Sequence, residues 1–164
     1  MTFVKLAEEI ATTAREFEEP TLLVISKWHG SLRAISSDII EARGASDEEE
    51  KKWHLDDISF LLRSIAVGAA MLLEALGVAS PEAEFTAEYE RAAAKHPGMT
   101  LDSDSHTDET RFYALAEEVG EVASSFTYDN AQGTGHNADT IAEVTQVGAL
   151  ALAWLVRYQD GENR

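Results

Sequence analysis

The chain has 164 residues, with 30 aspartates and glutamates against 13 lysines and arginines, which gives a formal charge of −17. No basic stripe offsets this acidic excess, so the surface repels a phosphate backbone, and nucleic-acid binding is excluded as the main function. The chain has no cysteine, which excludes disulfide bonds, a thiolate zinc site and a cysteine nucleophile.

Neither a secretory signal nor a membrane span is expected from the sequence. Glu8 and Glu9 come too early for the apolar region of a signal peptide. The longest apolar stretch, residues 65–73, is far shorter than the ~20 residues that a spanning helix needs. We therefore expect a soluble, cytoplasmic protein with no membrane partner.

The hydrophobic pattern predicts an all-α bundle of about six helices, because its period is helical and the three prolines fall where that period breaks. Ser46 and Glu49 have the spacing of a capping box at the start of the third helix, and polar loops are predicted at 97–106 and 133–137. We expect residues 1–79 to be an N-terminal helical extension, serving as packing, lid or oligomer interface, and residues 80–164 to be the helical core. The predicted helices cover about 2–18, 21–43, 46–76, 80–96, 107–128 and 139–159.

Two short stretches of the N-terminal half are echoed in the C-terminal half. The sequence Leu-Ala-Glu-Glu-Ile from Leu6 matches Leu-Ala-Glu-Glu-Val from Leu115, and Val-Gly-Ala occurs at both 67–69 and 147–149. The linear offset differs between the two echoes, unlike that of a strict tandem repeat, and Thr12 stands where the second copy has Glu121. Chance similarity of amphipathic helices therefore explains the echoes better than a repeat does.

The most informative feature is a pair of acidic sites in the last third of the chain. Glu118 and Glu121 are three residues apart on one predicted helix, and Glu143 and Gln146 are three apart on the next. Residues at this spacing share a helix face, so three carboxylates and one amide oxygen can converge on one point. Such a set of hard oxygen ligands suits Mg²⁺ or Mn²⁺, and a protein Mg²⁺ site commonly also holds substrate phosphates.

The alternative interpretation is a solvated or hydrogen-bonded set of glutamates, as most helical glutamates are. Against it, the last helix is apolar on nearly all sides, and a helix of that kind is buried. A buried carboxylate is unfavourable unless it is paired or bound to a metal, and no Lys or Arg lies within a turn of Glu143. The residues alone leave both a metal site and a structural network open.

The order Glu-Glu-x-x-Glu on one helix, followed after 21 residues by Glu-x-x-Gln on the next, resembles the MazG-like family of all-α nucleoside triphosphate pyrophosphohydrolases. The resemblance covers about residues 85–158 and includes the segments 89–96 and 115–122. It implies a Mg²⁺-dependent hydrolase that cleaves a (deoxy)nucleoside triphosphate to a monophosphate and pyrophosphate, and a homodimer or higher homo-oligomer. It also implies metal ligation by Glu118, Glu121 and Glu143, with Glu117 in or next to the shell.

Gln146 departs from the family pattern, which usually has an aspartate there. An amide oxygen can still coordinate a hard cation, but it removes one negative charge and cannot act as a base. We expect Gln146 to assist the metal site. Glu117 is the predicted residue for orienting the attacking water, with Glu118 as a second catalytic carboxylate.

Cations near the predicted site are candidates for contact with substrate phosphates. Lys95 is the favoured one, with Arg91 and His96 as further substrate-binding candidates, although an exposed surface position is the better interpretation for Arg91 and for Arg111. His54 and Asp57 form a weaker candidate pair for a second metal. The three tryptophans lie in apolar helical stripes and are predicted to be core residues: Trp28, Trp53 and Trp154.

Two functions therefore follow from the sequence. The first is the nucleotide pyrophosphohydrolase just described. The second is a catalytically silent helical module that binds a nucleotide or a protein partner, with a structural role for the acidic residues. Acidic mimicry of nucleic acid is a weaker third hypothesis, because the negative charges are spread along several helices instead of forming one patterned face.

Overall fold

A computed structural model describes residues 2–17, 19–133 and 139–161 of the chain. These residues form helices and connecting loops, with no strand among them, which confirms the all-α class. Part of the second predicted loop, residues 134–138, lies outside the described residues. The helices are α1 (Phe3–Ala14), α2 (Thr21–Gly44), α3 (Glu48–Ala75), α4 (Pro81–Lys95), α5 (Asp108–Ser125), α6 (Tyr128–Ala131) and α7 (Thr140–Gly161).

Three predicted helix ends were wrong. The first helix ends at Ala14 and not near residue 18, and Phe17 beyond it is exposed. The fifth ends at Ser125, and the separate short helix α6 contains the predicted end at Tyr128. The third helix is capped by Asp47, whose carboxylate accepts hydrogen bonds from two backbone N–H groups of the first turn, so the predicted capping box is displaced by one residue.

The helices of both predicted segments share one hydrophobic core. Helices α3 and α7 pack against each other and lie at its centre, α1 contacts α3 and α4, and α5 contacts α7 and α2. Many apolar residues of α3 are therefore buried within the chain, while Trp53 and Phe60 of the same helix stay exposed. The buried α3 residues include Ile58, Leu62, Ile65, Ala69 and Leu73.

By length and composition, α3 passes the test for a helix that could cross a membrane, with a mean hydropathy of 1.7 over its most apolar window. The sequence analysis expected no membrane span because it considered only uninterrupted apolar residues. It overlooked this window, in which small and polar residues interrupt the apolar ones. Half of the window is buried inside the bundle. A central core helix of a soluble protein has the same properties, so this is weak support for a span.

Two glycines allow aromatic side chains to pack directly on helix backbones. A Cβ at Gly148 in α7 would overlap the ring of Phe85, which is fully buried and belongs to α4. A Cβ at Gly68 in α3 would lie 2.7 Å from the indole nitrogen of Trp28. Gly148 thereby fixes how closely α4 approaches α7.

Two of the three tryptophans are core residues as predicted, because Trp28 and Trp154 are both buried. The prediction for Trp53 was wrong: its side chain is 60% exposed. The neighbouring His54 takes the inward position and contacts Asp38, and adjacent helical residues point in different directions. Trp53 therefore projects outward.

Arg111 is also not the surface cation that the sequence favoured, because it is only 3% exposed. Its guanidinium donates hydrogen bonds to three backbone carbonyls of the preceding loop, at 2.6 Å to Leu101, 2.6 Å to Ser103 and 2.7 Å to His106. It also pairs with Asp108 at 3.1 Å. Arg111 therefore holds the loop between α4 and α5 against the start of α5.

Candidate metal centre and adjoining cavity

Three carboxylates from two packed helices form the acidic cluster, defined as Glu118, Glu121 and Glu143. One carboxylate oxygen from each lies within 4.8 Å of the others. Glu118 and Glu121 share a face of α5, and Glu143 lies in the first turn of α7, which packs against α5. The structure therefore brings together the three carboxylates that the sequence predicted as metal ligands.

The acidic cluster brings three like charges together. Within the described part of the chain, none of its three glutamates forms an ion pair with a lysine or arginine. Burial, reinforced by the charges of Glu121 and Glu143, raises the pKa of Glu118 from 4.5 to about 7. Burial and the charge of Glu121 also raise the pKa of Glu143. The folded protein thus keeps these groups together at an electrostatic disadvantage.

One oxygen of Glu118 has no hydrogen-bond partner. Its Oε2 atom is buried, and no group among the described residues hydrogen-bonds to it. A buried unpaired carboxylate oxygen is unfavourable, whereas a bound cation would satisfy it and relieve the repulsion within the cluster. The donor set, three carboxylates with one unsatisfied oxygen, fits a hard divalent cation such as Mg²⁺ or Mn²⁺.

Gln146 lies next to the acidic cluster, but in the arrangement seen it acts as a hydrogen-bond donor. Its Nε2 atom donates to Glu143 Oε2 at 3.0 Å. The amide nitrogen therefore faces Glu143 and holds that carboxylate in place. Coordination of a cation by the amide oxygen, as predicted from the sequence, would require the amide to turn over, so that part of the prediction remains a prediction.

A cavity of about 380 Å³ adjoins the acidic cluster between α4, α5 and α7. Its size is within the range of small-molecule sites. Glu118 and Gln146 line it on one side, and Glu117 is exposed at its wall. The predicted substrate-binding residues also line this cavity: Arg91, Lys95 and His96. The eight residues predicted for the metal, the water and the substrate therefore lie in or beside one region, whereas Arg111 lies at a different cavity.

The two main cations differ in how they are held. Lys95 is exposed and forms no ion pair with another described residue. Arg91 makes two hydrogen bonds to Glu88 on its own helix, at 2.7 and 2.5 Å, and also feels the charge of Glu118. Lys95 is thus the better placed of the two to contact a phosphate, because Arg91 would first have to break its hydrogen bonds to Glu88.

Glu88 is the site residue that the sequence analysis missed. It holds Arg91, contributes to the raised pKa of Glu118, and lines the cavity together with Gln146. Glu88, Arg91 and Gln146 also line a second cavity, of about 440 Å³. Glu88 precedes Arg91 by three residues, so the sequence could have predicted their ion pair. The approach of Glu88 to Glu118 depends on the packing of α4 against α7.

His54 does not pair with Asp57 in a second metal site. Its Nδ1 atom lies 3.0 Å from Asp38 Oδ1, and its Nε2 atom lies 3.7 Å from Glu41 Oε2. The partners come from α2 because His54 faces that helix. The grouping of Asp38, Glu41 and His54 is close enough to hold an ion, but each histidine nitrogen already has a carboxylate neighbour, so a buried structural pair explains it.

No family model, curated protein or solved structure gives a significant match to this chain. The fold and the site together define an all-α bundle with an acidic cluster beside a cavity that contains cationic side chains. The resemblance to the MazG-like family therefore rests on the sequence motifs alone.

Proposed function

We propose that this chain is a Mg²⁺-dependent nucleotide pyrophosphohydrolase of the MazG-like kind, which cleaves a (deoxy)nucleoside triphosphate to a monophosphate and pyrophosphate. The observation that carries the proposal is the acidic cluster. Three of its carboxylate oxygens lie within 4.8 Å of one another, one glutamate oxygen is unsatisfied, and no lysine or arginine among the described residues forms an ion pair with the cluster. In a structural network, buried carboxylates pair with cationic side chains, whereas in a metal site several carboxylates point at one ion.

The residues of the chain divide into three roles in this proposal. Glu118, Glu121 and Glu143 would hold Mg²⁺, which when bound supplies charge neutralisation and polarisation of a phosphoryl oxygen. Lys95 would contact the phosphates as a point charge, with Arg91 as a second cation once it releases Glu88, and His96 lies at the same wall. The cavity of about 380 Å³ would take the nucleotide.

Glu117 is positioned to serve the attacking water. It lines the cavity beside Glu118 and is exposed, so it stays accessible to solvent. In the proposed reaction the water oxygen forms a bond to the α-phosphorus while the bond from that phosphorus to the bridging oxygen breaks. Glu117 accepts the proton of the water, and the leaving group is pyrophosphate.

The hydrogen bond from Gln146 to Glu143 favours a second candidate function, a silent helical module that binds a nucleotide or a protein partner. An amide that donates to Glu143 stabilises that carboxylate without a metal, as expected for a site that has lost its activity.

We also propose a cytoplasmic location and self-association for this protein, which the sequence suggested.

Pyrophosphate release from a panel of ribo-, deoxyribo- and altered-base triphosphates with Mg²⁺ or Mn²⁺ tests the proposal. We expect turnover by the wild type, loss of turnover in Glu121→Gln and Glu143→Gln with the fold retained, and turnover kept in the control Glu90→Gln, an exposed glutamate of α4. Absence of turnover in the wild type together with turnover in Gln146→Asp would show that the site has lost its activity through this residue. Unchanged turnover in both cluster variants would contradict the assignment.

A further inference from the structure

A large cavity lies far from the acidic cluster, and most of the charged residues that line it are cations. It has a volume of about 1020 Å³ and lies between α2, α3 and the adjoining ends of α5 and α7. Fourteen residues of α7 separate Glu143 from Arg157 at this cavity, which is about 21 Å along a helix. We call it the basic cavity, after the cations that line it: Arg43, Lys51, Lys52, Arg63, Arg111 and Arg157.

The concentration of cations here is unusual for this chain. The basic cavity holds six of the 13 lysines and arginines but only three of the 30 acidic residues. The rest of the surface is therefore still more negative than the composition implies. The side chains that line the cavity therefore include more cations than acids, and a wall of this composition favours an anionic ligand.

The three acidic residues of the basic cavity are each paired with one of its cations. Glu109 pairs with Arg43, Asp56 with Lys52, and Asp108 with Arg111. Arg111 is also bonded to three backbone carbonyls of the loop before α5 and has a structural role. These pairs leave the other three cations without an acidic partner among the lining residues.

Those three cations pair with acids that lie outside the cavity lining. Lys51 pairs with Glu48 at 3.6 Å, Arg63 with Glu9 at 2.5 Å, and Arg157 with Asp104 at 3.0 Å. Lys51 and its partner are both well exposed, and exposed ion pairs contribute little to stability. An anion with several oxygens could therefore recruit these cations without unfolding any element.

The walls of the basic cavity also include apolar side chains. Phe60 is 71% exposed, and Leu55 and Leu155 line the same space. The hydroxyl of Tyr158 is buried in the same wall, with Asp108 and Trp154 as its polar neighbours. The exposed ring of Phe60 gives an aromatic ligand a surface to pack on.

We propose that the basic cavity binds a phosphate-bearing small molecule with an aromatic portion, of the nucleotide class, independently of the acidic cluster. The phosphates contact Lys51, Arg63 and Arg157, and the aromatic portion packs on Phe60. This site does not depend on the proposed hydrolase activity, because it uses no metal and shares no lining residue with the acidic cluster.

Calorimetric titration in EDTA tests this proposal on the full chain, with ATP, inorganic pyrophosphate and adenosine as probes. EDTA keeps divalent cations from the acidic cluster. We expect ATP to bind more tightly than pyrophosphate, and adenosine more weakly than either, because the cavity combines cations with an aromatic wall. Failure of ATP to bind, or equal binding of ATP and adenosine, would overturn the proposal.

Charge reversal locates the binding. Lys51→Glu should weaken ATP binding by about tenfold or more, which corresponds to the loss of one charged phosphate contact. Lys27→Glu is the matched control, since Lys27 is another exposed lysine paired with a glutamate, and it should leave binding unchanged. Lys51 lies near the N-terminus of α3, where an added acid does not oppose the helix dipole, so the fold is retained.

Two further variants separate this site from the acidic cluster. Arg157→Gln should also weaken ATP binding in EDTA, whereas Glu118→Gln should not alter it. If Lys27→Glu weakens binding as much as Lys51→Glu does, the binding is non-specific and the proposal is wrong. If Glu118→Gln abolishes binding, the nucleotide lies at the acidic cluster and the basic cavity is not its site.

Discussion

Arg63 Nη1 lies 2.5 Å from Glu9 Oε1, and this ion pair joins α3 to α1. When the two sequence echoes are aligned, Glu9 corresponds to Glu118, and Arg63 corresponds to Glu143. The N-terminal half thus has an oppositely charged pair at the positions where the C-terminal half has two carboxylates. The two glycines of the echoes are also used alike, since Gly68 and Gly148 each accept an aromatic ring.

The ion pair of Arg63 with Glu9 shows how opposite charges join two helices of this chain. If the positions served only to join two helices, an ion pair such as that of Arg63 with Glu9 would do so with less electrostatic repulsion. The C-terminal half instead keeps Glu118, Glu121 and Glu143 together, with a raised pKa at Glu118 and at Glu143. This retained repulsion supports the cation site that we propose.

The repulsion in the acidic cluster predicts a specific pH dependence of stability. The pKa of Glu118 is raised from 4.5 to about 7 in the folded state, so the folded protein holds this proton more tightly than the unfolded chain does. Its contribution to stability is fully present below pH 4.5 and is lost as the pH rises through about 7. Glu143 acts in the same direction.

Urea denaturation in EDTA from pH 4.5 to 8 measures this effect. The free energy of unfolding of the wild type, relative to that of Glu118→Gln, should fall across the range, since glutamine does not titrate. Glu90→Gln should follow the wild type. Parallel curves for wild type and Glu118→Gln would show that Glu118 does not carry the proton.

Gly148 should not tolerate alanine, because the added methyl group would overlap the ring of the buried Phe85. We expect Gly148→Ala to lower the free energy of unfolding by about 1–3 kcal/mol, as for other overpacked cores. Gly120 provides the control, since a Cβ there meets no other atom within 4 Å. Gly120→Ala should stabilise the chain by about 0.5–1 kcal/mol through helix propensity. Equal effects of the two substitutions would contradict the packing of α4 on α7.

Arg111 should be among the most important single residues for stability outside the apolar core. Truncation to alanine leaves three loop carbonyls and Asp108 without their charged donor, so we expect Arg111→Ala to cost about 3 kcal/mol or more. Arg43→Ala, at an exposed arginine paired with Glu109, should cost no more than about 1 kcal/mol. Urea denaturation compares the two, and a small effect at Arg111 would show that the loop before α5 is held by other contacts.

Gln146→Asp should strengthen Mg²⁺ binding, because it adds a fourth carboxylate and removes the hydrogen bond that Glu143 now accepts. In EDTA the same variant should melt at a lower temperature than the wild type, since the repulsion in the cluster increases. With Mg²⁺ present its melting temperature should rise more than that of the wild type, as expected for a ligand that binds the folded state. A smaller rise would indicate that Gln146 does not face the cation.

The sequence was sufficient for the acidic cluster because helical spacing places Glu118 beside Glu121, and the apolar pattern buries α7. The sequence was insufficient where a side chain is buried by irregular backbone, or where either of two neighbouring side chains could point into the core. The carbonyls that accept hydrogen bonds from Arg111 belong to a loop that has no hydrophobic periodicity. On α3, His54 points towards α2, whereas Trp53 points to the surface. The basic cavity is likewise invisible in the sequence, because Arg43, Lys51 and Arg157 come together only through the packing of α2, α3 and α7.

The most direct test of the central claim is a Mn²⁺ titration of the isolated protein, followed by electron paramagnetic resonance of the free ion. We expect one Mn²⁺ site per chain, displaced by Mg²⁺, weakened at least about tenfold in Glu118→Gln and Glu121→Gln, and unchanged in Glu90→Gln. Absence of Mn²⁺ binding at millimolar concentration, or binding that survives both cluster substitutions, would contradict the account.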